Sequence, residues 1–366
     1  MKIAQIAPLF ERVPPKFYGG TERAVSYLTE ELVRQGHDVT LFASTDSCTS
    51  AKLVGCCDLA LRLNPAVKDH LPYHMVLLDA VRERADEFDV LHFHIDLLHF
   101  PLIRDYADRT VTTLHGRLDL PDLMPVFSRF REVPLVSISY DQRRPLPLEL
   151  NWSGNVYHGL PRGLLPFVAN PKGGYLAFLG RISPEKRPDR AIEIAVAASL
   201  PLKIAAKIDR VDEAYWEQVI SPLVEAHDNV EYIGEITDQK KAQFLGNARA
   251  LLFPVDWPEP FGLVTIEAMA CGTPVIAFHA GSVPEIVDDG ISGFIVTSVE
   301  EAVDALARVD TLERARIRAR FEERFSIERM AQQYVNIYRS LPGVAKIVRP
   351  APWIVEGESA GLQAAE

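Results

Sequence analysis

Two glutamates, Glu259 and Glu267, are separated by seven residues in the second half of the chain. The apolar run 250–255 before them is typical of a buried parallel strand. The segment Ala268–Gly272 after them is typical of a short helix that stops at a glycine. Glu259 is therefore expected on a strand-to-helix loop and Glu267 about two turns into the helix. Gly262 would let a ligand approach the backbone, and the helix start offers free N–H groups to an anion. Such a site could hold a polyol and a phosphate together, and a nucleotide sugar combines both.

Two cations that could bind phosphate stand five residues apart upstream. Arg181 and Lys186 lie on a loop predicted between a strand over 175–179 and a helix over 189–198. Arginine offers a planar fork of donors and lysine a mobile point charge, so the pair would form a compact cationic pocket.

A glycine pair near the N-terminus could contribute backbone N–H groups. Gly19 and Gly20 follow a predicted strand over 2–7 and precede a helix predicted over 23–35, with Thr21 as its N-cap. A backbone in this position can contact a phosphate above the helix start. The spacing is not G-x-G-x-x-G, so the dinucleotide fingerprint is absent.

Polar residues also follow the predicted strand over 89–94. His92 and His94 share one face of this strand, and two further histidines come after it. No acidic or cysteine partner falls at a familiar ligand spacing, so the pattern favours a polar cleft wall and no metal site is predicted. Ligands bind at the carboxyl ends of strands in open α/β sheets, and this position gives the acceptor-side candidates. These are Asp96, His99 and, after the next strand, Arg117.

Strands and helices alternate in both halves of the chain, which predicts two doubly wound parallel sheets. The segment 161–174 is rich in proline and glycine and is the best candidate for a linker. We expect an N-terminal domain over 1–165 and a C-terminal domain over 172–325. Residues 342–366 show no periodicity and are expected to form a disordered tail.

The composition limits the possible classes of protein. The 366 residues carry a net charge of −11, which argues against general nucleic-acid binding. No apolar run is long enough for a membrane span, and no signal peptide is recognisable. The four cysteines show no C-x-x-C spacing and favour a reducing compartment, so a cytoplasmic location is expected.

These motifs together resemble the retaining glycosyltransferases of family 4 (group 1), which have the GT-B fold. The stretch Glu259–Glu267 matches the family's E-x7-E motif, and it is followed by Cys271-Gly272-Thr273-Pro274. Gly180-Arg181 with Lys186 matches G-R-x-x-x-x-K. Gly19-Gly20-Thr21-Glu22 matches GG-x-E, and Gly281–Glu285 resembles G-G-x-P-E. The match covers about residues 1–341 and is strongest from Gly180 to Glu285.

The resemblance implies two Rossmann-like domains facing a cleft, with a last helix at about 326–341 that packs back on the first domain. It implies that Arg181 and Lys186 hold the diphosphate of a nucleotide sugar, with help from the Gly19 and Gly20 backbone. Glu259 would bind the transferred sugar and Glu267 the ribose. His115, in the Thr113-x-His115 context, would lie near the C6 hydroxyl of the sugar. The remaining donor-binding residues implied are Ile236, Phe261, Gly262, Leu263 and Val264.

The expected reaction is the retaining transfer of a hexose from a UDP- or GDP-sugar to an unknown acceptor, which could be a small molecule, a glycan or a lipid-linked sugar. The resemblance implies a front-face mechanism without an enzyme base, and no cofactor or metal is expected because Asp-x-Asp is absent. Two departures lie on the acceptor side or near the linker: the prolines around Arg143 to Pro147, and Val156 to Pro161 in place of P-N-G-[VI]-D. The alternatives are an epimerase or phosphorylase on the same fold, and a non-catalytic sugar-nucleotide sensor.

Overall fold

Two parallel β-sheets organise the chain and bring together segments that are distant in sequence. The computed structural model describes residues 1–16, 19–147 and 149–347. The first sheet has the strand order β3-β2-β1-β4-β5-β6-β7. The second has the order β10-β9-β8-β11-β12-β13. Every strand pairing in the two sheets is parallel, which confirms the predicted pair of doubly wound α/β sheets.

The strands follow the apolar runs of the sequence, because a sheet covered on both faces buries both sides of each strand. In the first sheet they are β1 (Lys2–Ile6), β2 (Asp38–Ala43), β3 (Lys52–Gly55), β4 (Val90–Phe93), β5 (Thr110–Thr113), β6 (Leu135–Ser137) and β7 (Trp152–Asn155). In the second sheet they are β8 (Leu176–Ile182), β9 (Leu202–Ile208), β10 (Val230–Gly234), β11 (Ala250–Phe253), β12 (Val275–Phe278) and β13 (Gly293–Val296).

Helices cover both faces of the sheets. The first half contains α1 (Gly20–Arg34), α2 (Leu71–Glu83) and α3 (Met124–Arg129). The second half contains α4 (Pro188–Ala197), α5 (Glu213–Tyr215), α6 (Ser221–Glu225), α7 (Asp238–Asn247), α8 (Leu263–Ala270), α9 (Val283–Ile286) and α10 (Val299–Arg308). A π-helical turn over Trp216–Ile220 joins α5 to α6. The last helices are α11 (Arg314–Arg324), α12 (Ile327–Ser340) and α13 (Pro342–Ile347).

The strand order creates one crevice in each sheet. The chain leaves β1 toward β2 on one side and later returns to β4 on the other, so the connections diverge between β1 and β4. The same divergence occurs between β8 and β11 in the second sheet. Ligands bind at such points, outside the carboxyl ends of the strands. The loops after β1, β8 and β11 carry the glycine pair, Lys186 and Glu259, so the topology alone places these motifs at the crevices.

The C-terminal helix α12 belongs to the hydrophobic core of the first domain. Its buried residues Met330, Tyr334 and Tyr338 pack in one cluster with Ile3 of β1 and Leu28 of α1. The expectation of a disordered tail from residue 342 is wrong for its first six residues, which form α13. The physical reason is that Val344 is fully buried in the same cluster. Residues 348–366 of the expected tail lie outside the described residues.

Local structure differs from the sequence expectation at several element ends. Thr21 lies inside α1, which begins at Gly20 and has Gly19 as its N-cap. Strand β8 continues to Ile182, so Arg181 lies on a strand and not on a loop. The edge strands β3 and β7 were not predicted at all. None of the helices in the described part of the chain has the length and apolar character needed to cross a membrane.

Candidate active site

A cleft of about 520 Å³ lies between the two domains. Loops from both sheets line it, because the crevices of the two sheets face each other. The structure brings to this cleft every predicted catalytic and donor-binding residue. These are Gly19, Gly20, His115, Arg181, Lys186, Ile236, Glu259, Phe261, Gly262, Leu263, Val264 and Glu267.

The loop before α8 holds Glu259 in a defined position. Glu259 is 7% exposed, and its carboxylate accepts a hydrogen bond from Trp257 Nε1 at 2.8 Å and forms an ion pair with Lys186. Gly281 packs directly on the Glu259 backbone: a Cβ atom there would lie 2.3 Å from the Glu259 nitrogen, and its φ of 53° is left-handed. Only glycine fits this contact without strain. The Glu259 carboxylate therefore faces the cleft from a rigid support.

The start of α8 leaves its first backbone N–H groups available. Gly262 precedes the helix with φ of 79°, and no side chain caps the helix. A Cβ at Gly262 would also lie 2.8 Å from the Phe253 ring. Helix α1 has no side-chain cap either, and Gly20 lies near Leu263 across the cleft, where an added Cβ would be 3.6 Å from the leucine side chain. Two uncapped helix starts thus meet at one place, which suits an anion with several oxygens.

The second glutamate of the motif is held inside α8. Glu267 is 4% exposed and accepts a hydrogen bond from Lys241 Nζ at 2.7 Å. Lys241 belongs to α7, and Asp238 at the start of that helix pairs with Arg23 of α1. Glu259 and Glu267 therefore lie on opposite sides of the α8 start, each with its own ammonium partner.

The predicted phosphate-binding cations are engaged with carboxylates. Arg181 pairs with Glu185 and has Asp212 at 3.6 Å and Asp209 at 3.8 Å. Lys186 pairs with Glu259 and lies 4.8 Å from the centre of the Trp257 ring. Both cations line the cleft beside their carboxylates, so a phosphate bound there could replace a carboxylate as their counter-charge.

Four further cations line the cleft and were not recognised in the sequence. They are Arg23, Arg62, Lys207 and Lys241. Arg62 lies in a short helical turn of the first domain and contacts Asp209 of the second domain at 2.7 and 2.9 Å. Lys207 contacts the same carboxylate at 2.8 Å. These residues have no shared motif in the sequence. The position of Lys207 near the end of β9 is the only local signal that could have indicated it.

A hydrogen-bond chain supports His115 from behind. The Gln5 amide oxygen, which can only accept, lies 2.7 Å from His94 Nε2, so this nitrogen carries the proton and donates. His94 Nδ1 then accepts from His115 Nε2 at 2.9 Å. Burial lowers the pKa of both histidines well below the usual range, so both rings are neutral. A neutral imidazole carries a single proton, and His115 Nδ1 is therefore left as a hydrogen-bond acceptor.

A second imidazole stands beside His115. The rings of His115 and His158 are stacked with centroids 5.3 Å apart, and the edge of His158 packs on Phe261. Burial lowers the pKa of His158 to about 3. Within the described residues, neither His115 Nδ1 nor His158 Nδ1 has a hydrogen-bond partner. Both side chains line the cleft, so both nitrogens are suited to ligand hydroxyl groups.

The other end of the histidine row is internal. His92 accepts or donates hydrogen bonds at 2.7 Å to Tyr338 of α12 and to Thr113 of β5. Among the described residues, no group of three or more His, Cys, Asp or Glu side chains is arranged to hold a metal ion.

Of the acceptor-side predictions, that for His99 is wrong in position, whereas that for Asp96 stays a prediction. His99 is fully buried in the first domain, where it stacks on Phe93 at 3.9 Å and contacts Thr112 Oγ1 at 2.7 Å. Asp96, with φ of 53°, turns the chain after β4 and is not among the residues that line the cleft. The residue as a whole is exposed to solvent, but protein atoms surround its carboxyl group. The resulting desolvation raises the pKa of Asp96 to about 6.

Arg117 lines a different space from the one assigned to the donor. A second cavity of about 410 Å³ adjoins the cleft, and Trp257 and Pro260 line both. Arg117 forms part of its wall and lies 5.5 Å from the centre of the Trp257 ring. A ligand in the second cavity would therefore approach the Glu259 loop from the side of the first domain.

Two family models match the chain in succession. The model described as Glycosyltransferase Family 4 matches residues 18–159. The model described as Glycosyl transferases group 1 matches residues 166–325. Together they cover the cleft-lining loops of both domains.

Among curated relatives, the chain is similar to the D-inositol 3-phosphate glycosyltransferase of Mycobacterium bovis (strain BCG / Pasteur 1173P2). The two are 33% identical over 184 residues, which is 46% of this chain and 37% of the relative. The match thus spans little more than a third of the length of that protein.

Solved structures share the fold over nearly the whole chain. Sucrose-phosphate synthase from Thermosynechococcus elongatus has a TM-score of 0.76 at 19% identity, covering 93% of this chain and 98% of that one. HepE from Anabaena in complex with UDP and glucose has a TM-score of 0.70 at 19% identity, covering 93% and 100%.

Proposed function

The chain belongs to the family 4 (group 1) glycosyltransferases and is a transferase enzyme with the GT-B fold, and we propose that it transfers a hexose from a nucleotide-diphosphate sugar with retention of configuration. The observation that carries this proposal is the juxtaposition in one cleft of Glu259, Lys186 and Arg181 with the uncapped starts of α1 and α8. This arrangement offers a carboxylate to the sugar hydroxyl groups. To a diphosphate it offers two cations and the backbone N–H groups of the two helix starts.

The donor is proposed to be a UDP-sugar, with a GDP-sugar as the second choice. HepE, which shares the fold, binds UDP and glucose in its crystal structure. In this chain the backbone near Ile236 would meet the base, and Glu267 would accept hydrogen bonds from the ribose. His115 Nδ1, as a hydrogen-bond acceptor, suits a sugar hydroxyl such as the one on C6.

Donor binding would exchange the counter-charges of the cleft. In the structure Lys186 is neutralised by Glu259, and Arg181 by the carboxylates around Glu185. The diphosphate would take these cations, and Glu259 would be released to bind the transferred sugar. Binding of the donor would thus direct the carboxylate to the sugar and, at the same time, the cations to the diphosphate leaving group.

Catalysis would come from charge placed where the leaving diphosphate develops its negative charge. Arg181, Lys186 and the N–H groups of the two helix starts would stabilise that charge as the glycosidic bond breaks, and one such fixed donor contributes about 3 kcal/mol. In the front-face mechanism the leaving phosphate oxygen takes the proton of the acceptor hydroxyl on the same face of the sugar. This places no demand on a protein base, and we assign none.

Two further elements of the proposal rest on the sequence. The reaction is proposed to be independent of divalent metal, because the cations of the cleft supply the compensating charge. It is proposed to occur in the cytoplasm, because the cysteine spacing favours a reducing compartment.

The test is a panel of labelled UDP- and GDP-sugars, incubated with the full chain in the presence and absence of cell extract from the source organism. We expect release of nucleotide diphosphate that depends on the extract, together with a labelled α-linked product from an α-linked donor. Lys186→Ala is the matched inactive variant. Release of a β-linked product would contradict retention. Conversion of the donor to another nucleotide sugar would indicate an epimerase instead of a transferase. Binding of the donor without turnover would indicate a sensor.

A further inference from the structure

The second cavity has the position of an acceptor site for the proposed reaction. It is formed by four separate segments: the loop after β5, the turn that begins at Asp141 after β6, the loop 256–260 after β11, and residues 280–281 after β12. It joins the donor cleft at Trp257 and Pro260, on either side of Glu259 along that loop. Whatever occupies it has its inner end next to the sugar that Glu259 would hold.

The wall of this cavity is fixed across the two domains. Glu285 of the second domain accepts hydrogen bonds from the backbone N–H groups of Tyr140 at 2.8 Å and Asp141 at 2.6 Å. It also accepts one from the Tyr157 hydroxyl at 2.9 Å. Three donors on one carboxylate hold the Asp141 turn at a set distance from the loop that carries Trp257.

The residues that line the wall include three carboxylates, Asp119, Asp141 and Asp256, and two guanidinium groups, Arg117 and Arg144. Asp119 accepts two hydrogen bonds from Arg117, both at 2.6 Å, and Asp141 accepts one from Arg144 at 2.9 Å. The side chains of Asp119 and Asp141 are 27% and 15% exposed, whereas those of Arg117 and Arg144 are 41% and 81% exposed. A ligand that enters the cavity therefore meets a wall with a formal excess of one negative charge, in which each guanidinium group is already paired with an aspartate.

This arrangement discriminates between ligand charges. Carboxylates accept hydrogen bonds from hydroxyl groups, but they repel a phosphate or another carboxylate at close range. The donor cleft differs, because among the described residues six cationic side chains and two uncapped helix starts line it together with five carboxylates. In the second cavity three carboxylates face two guanidinium groups, so a phosphate would add to an excess of negative charge. A polyhydroxylated neutral molecule meets no such cost.

We propose that this cavity binds the acceptor and that the acceptor is an uncharged polyol or glycoside, with Asp119 and Asp141 as its hydroxyl-binding residues. The inference rests on the proposed transferase function and adds the chemical class of the second substrate. It separates this chain from the mycobacterial relatives, which are named for a phosphorylated acceptor, inositol 3-phosphate.

The test uses matched pairs of acceptors that differ only in phosphorylation, with UDP-glucose as donor: myo-inositol against inositol 3-phosphate, and methyl glucoside against its 6-phosphate. A fractionated extract covers acceptors outside these pairs, since an anion-exchange resin at neutral pH retains charged molecules and passes neutral ones. We expect transfer to neutral members or to the flow-through fraction, with kcat/KM at least tenfold higher than for the charged counterpart.

Two variants assign the preference to this cavity. Asp119→Asn and Asp141→Asn each remove a carboxylate and leave its arginine without a counter-ion. We expect KM for the neutral acceptor to rise about tenfold, because a charge-assisted hydrogen bond becomes a neutral one. The discrimination against the phosphorylated counterpart should shrink by a similar factor. Glu149→Gln, on an exposed side chain that pairs with Arg131 away from both cavities, is the control and should change neither value.

The outcomes separate this inference from the proposed function. If donor is consumed only with phosphorylated or resin-bound acceptors, the inference is overturned and the transferase function stands. If both aspartate variants retain the wild-type KM and charge preference, the cavity is not the acceptor site. If no donor is consumed with any acceptor or extract, the proposed function itself fails.

Discussion

Glu259 and Glu267 should fail in different ways when each is replaced by glutamine, because each has a different partner in the proposed complex. Glu267 lies inside α8 next to Lys241, on the side where the ribose would bind. Glu259 lies on the loop before α8, where it would bind the transferred sugar. The bare nucleotide UDP contains the ribose but not the sugar, so it distinguishes the two roles.

The magnitude follows from the type of bond that is lost. A hydrogen bond between a carboxylate and a hydroxyl contributes about 1.5–3 kcal/mol, which corresponds to a factor of roughly 10 to 150 in affinity. Glu267→Gln retains a weaker neutral bond, so we expect the Kd of UDP to rise about tenfold.

Glu259→Gln should affect UDP binding in the opposite direction or not at all. In the structure Glu259 neutralises Lys186, and UDP must compete with it for that ammonium group. Glutamine retains the hydrogen-bond capacity toward Trp257 but removes the competing charge. We therefore expect UDP to bind with equal or higher affinity, while kcat with UDP-glucose falls by about tenfold or more.

Isothermal titration calorimetry with UDP, beside steady-state kinetics with UDP-glucose, measures both effects. Glu231→Gln is the control, since Glu231 is exposed, pairs with Lys203 and lies outside both cavities. If Glu259→Gln weakened UDP binding as much as Glu267→Gln, the two glutamates would not have separate partners in the bound donor.

Three further results are expected. Arg181→Ala and Lys186→Ala should each lower kcat/KM by an amount equivalent to about 2.7–4 kcal/mol, and wild-type values in either would exclude it from the diphosphate site. Activity should persist after exhaustive chelation, and activity that returned only with magnesium or manganese would show that a metal is required. Burial raises the pKa of Glu22 to about 7 from 4.5, so the folded protein holds a proton that the unfolded chain loses, and stability falls as pH rises through this window. Glu22→Gln should thus be more stable than wild type at pH 8 by about 3 kcal/mol in denaturant titrations, and an advantage that did not shrink toward pH 5 would rule out this origin.

The sequence by itself determined the elements and the short-range motifs. Apolar runs separated by helical periods specify strands covered on both faces, and these can only form parallel sheets with crossover helices. Glu259 and Glu267 are brought to one helix start by local geometry alone, because a strand, a glycine turn and a helix fix them within nine residues. Strands β3 and β7 were not predicted, because each is a four-residue edge strand whose low burial leaves no apolar run in the sequence.

The tertiary structure decided which polar residues reach the cleft. His99 and His115 look alike in sequence, as histidines that follow strands, but His99 is enclosed by Phe93 and Thr112 while His115 faces the cleft. Arg62 becomes a cleft residue only because the second domain places Asp209 opposite it.

The same holds for the state of His115 and for the second cavity. The tautomer of His115 is set by Gln5, which stands 110 residues away in the sequence. Asp119 and Asp141 line one cavity with Trp257, and Glu285 of the second domain binds the Asp141 backbone beside it. A sequence pattern records neighbours along the chain, whereas these features depend on contacts between segments that only the packing of the two domains brings together.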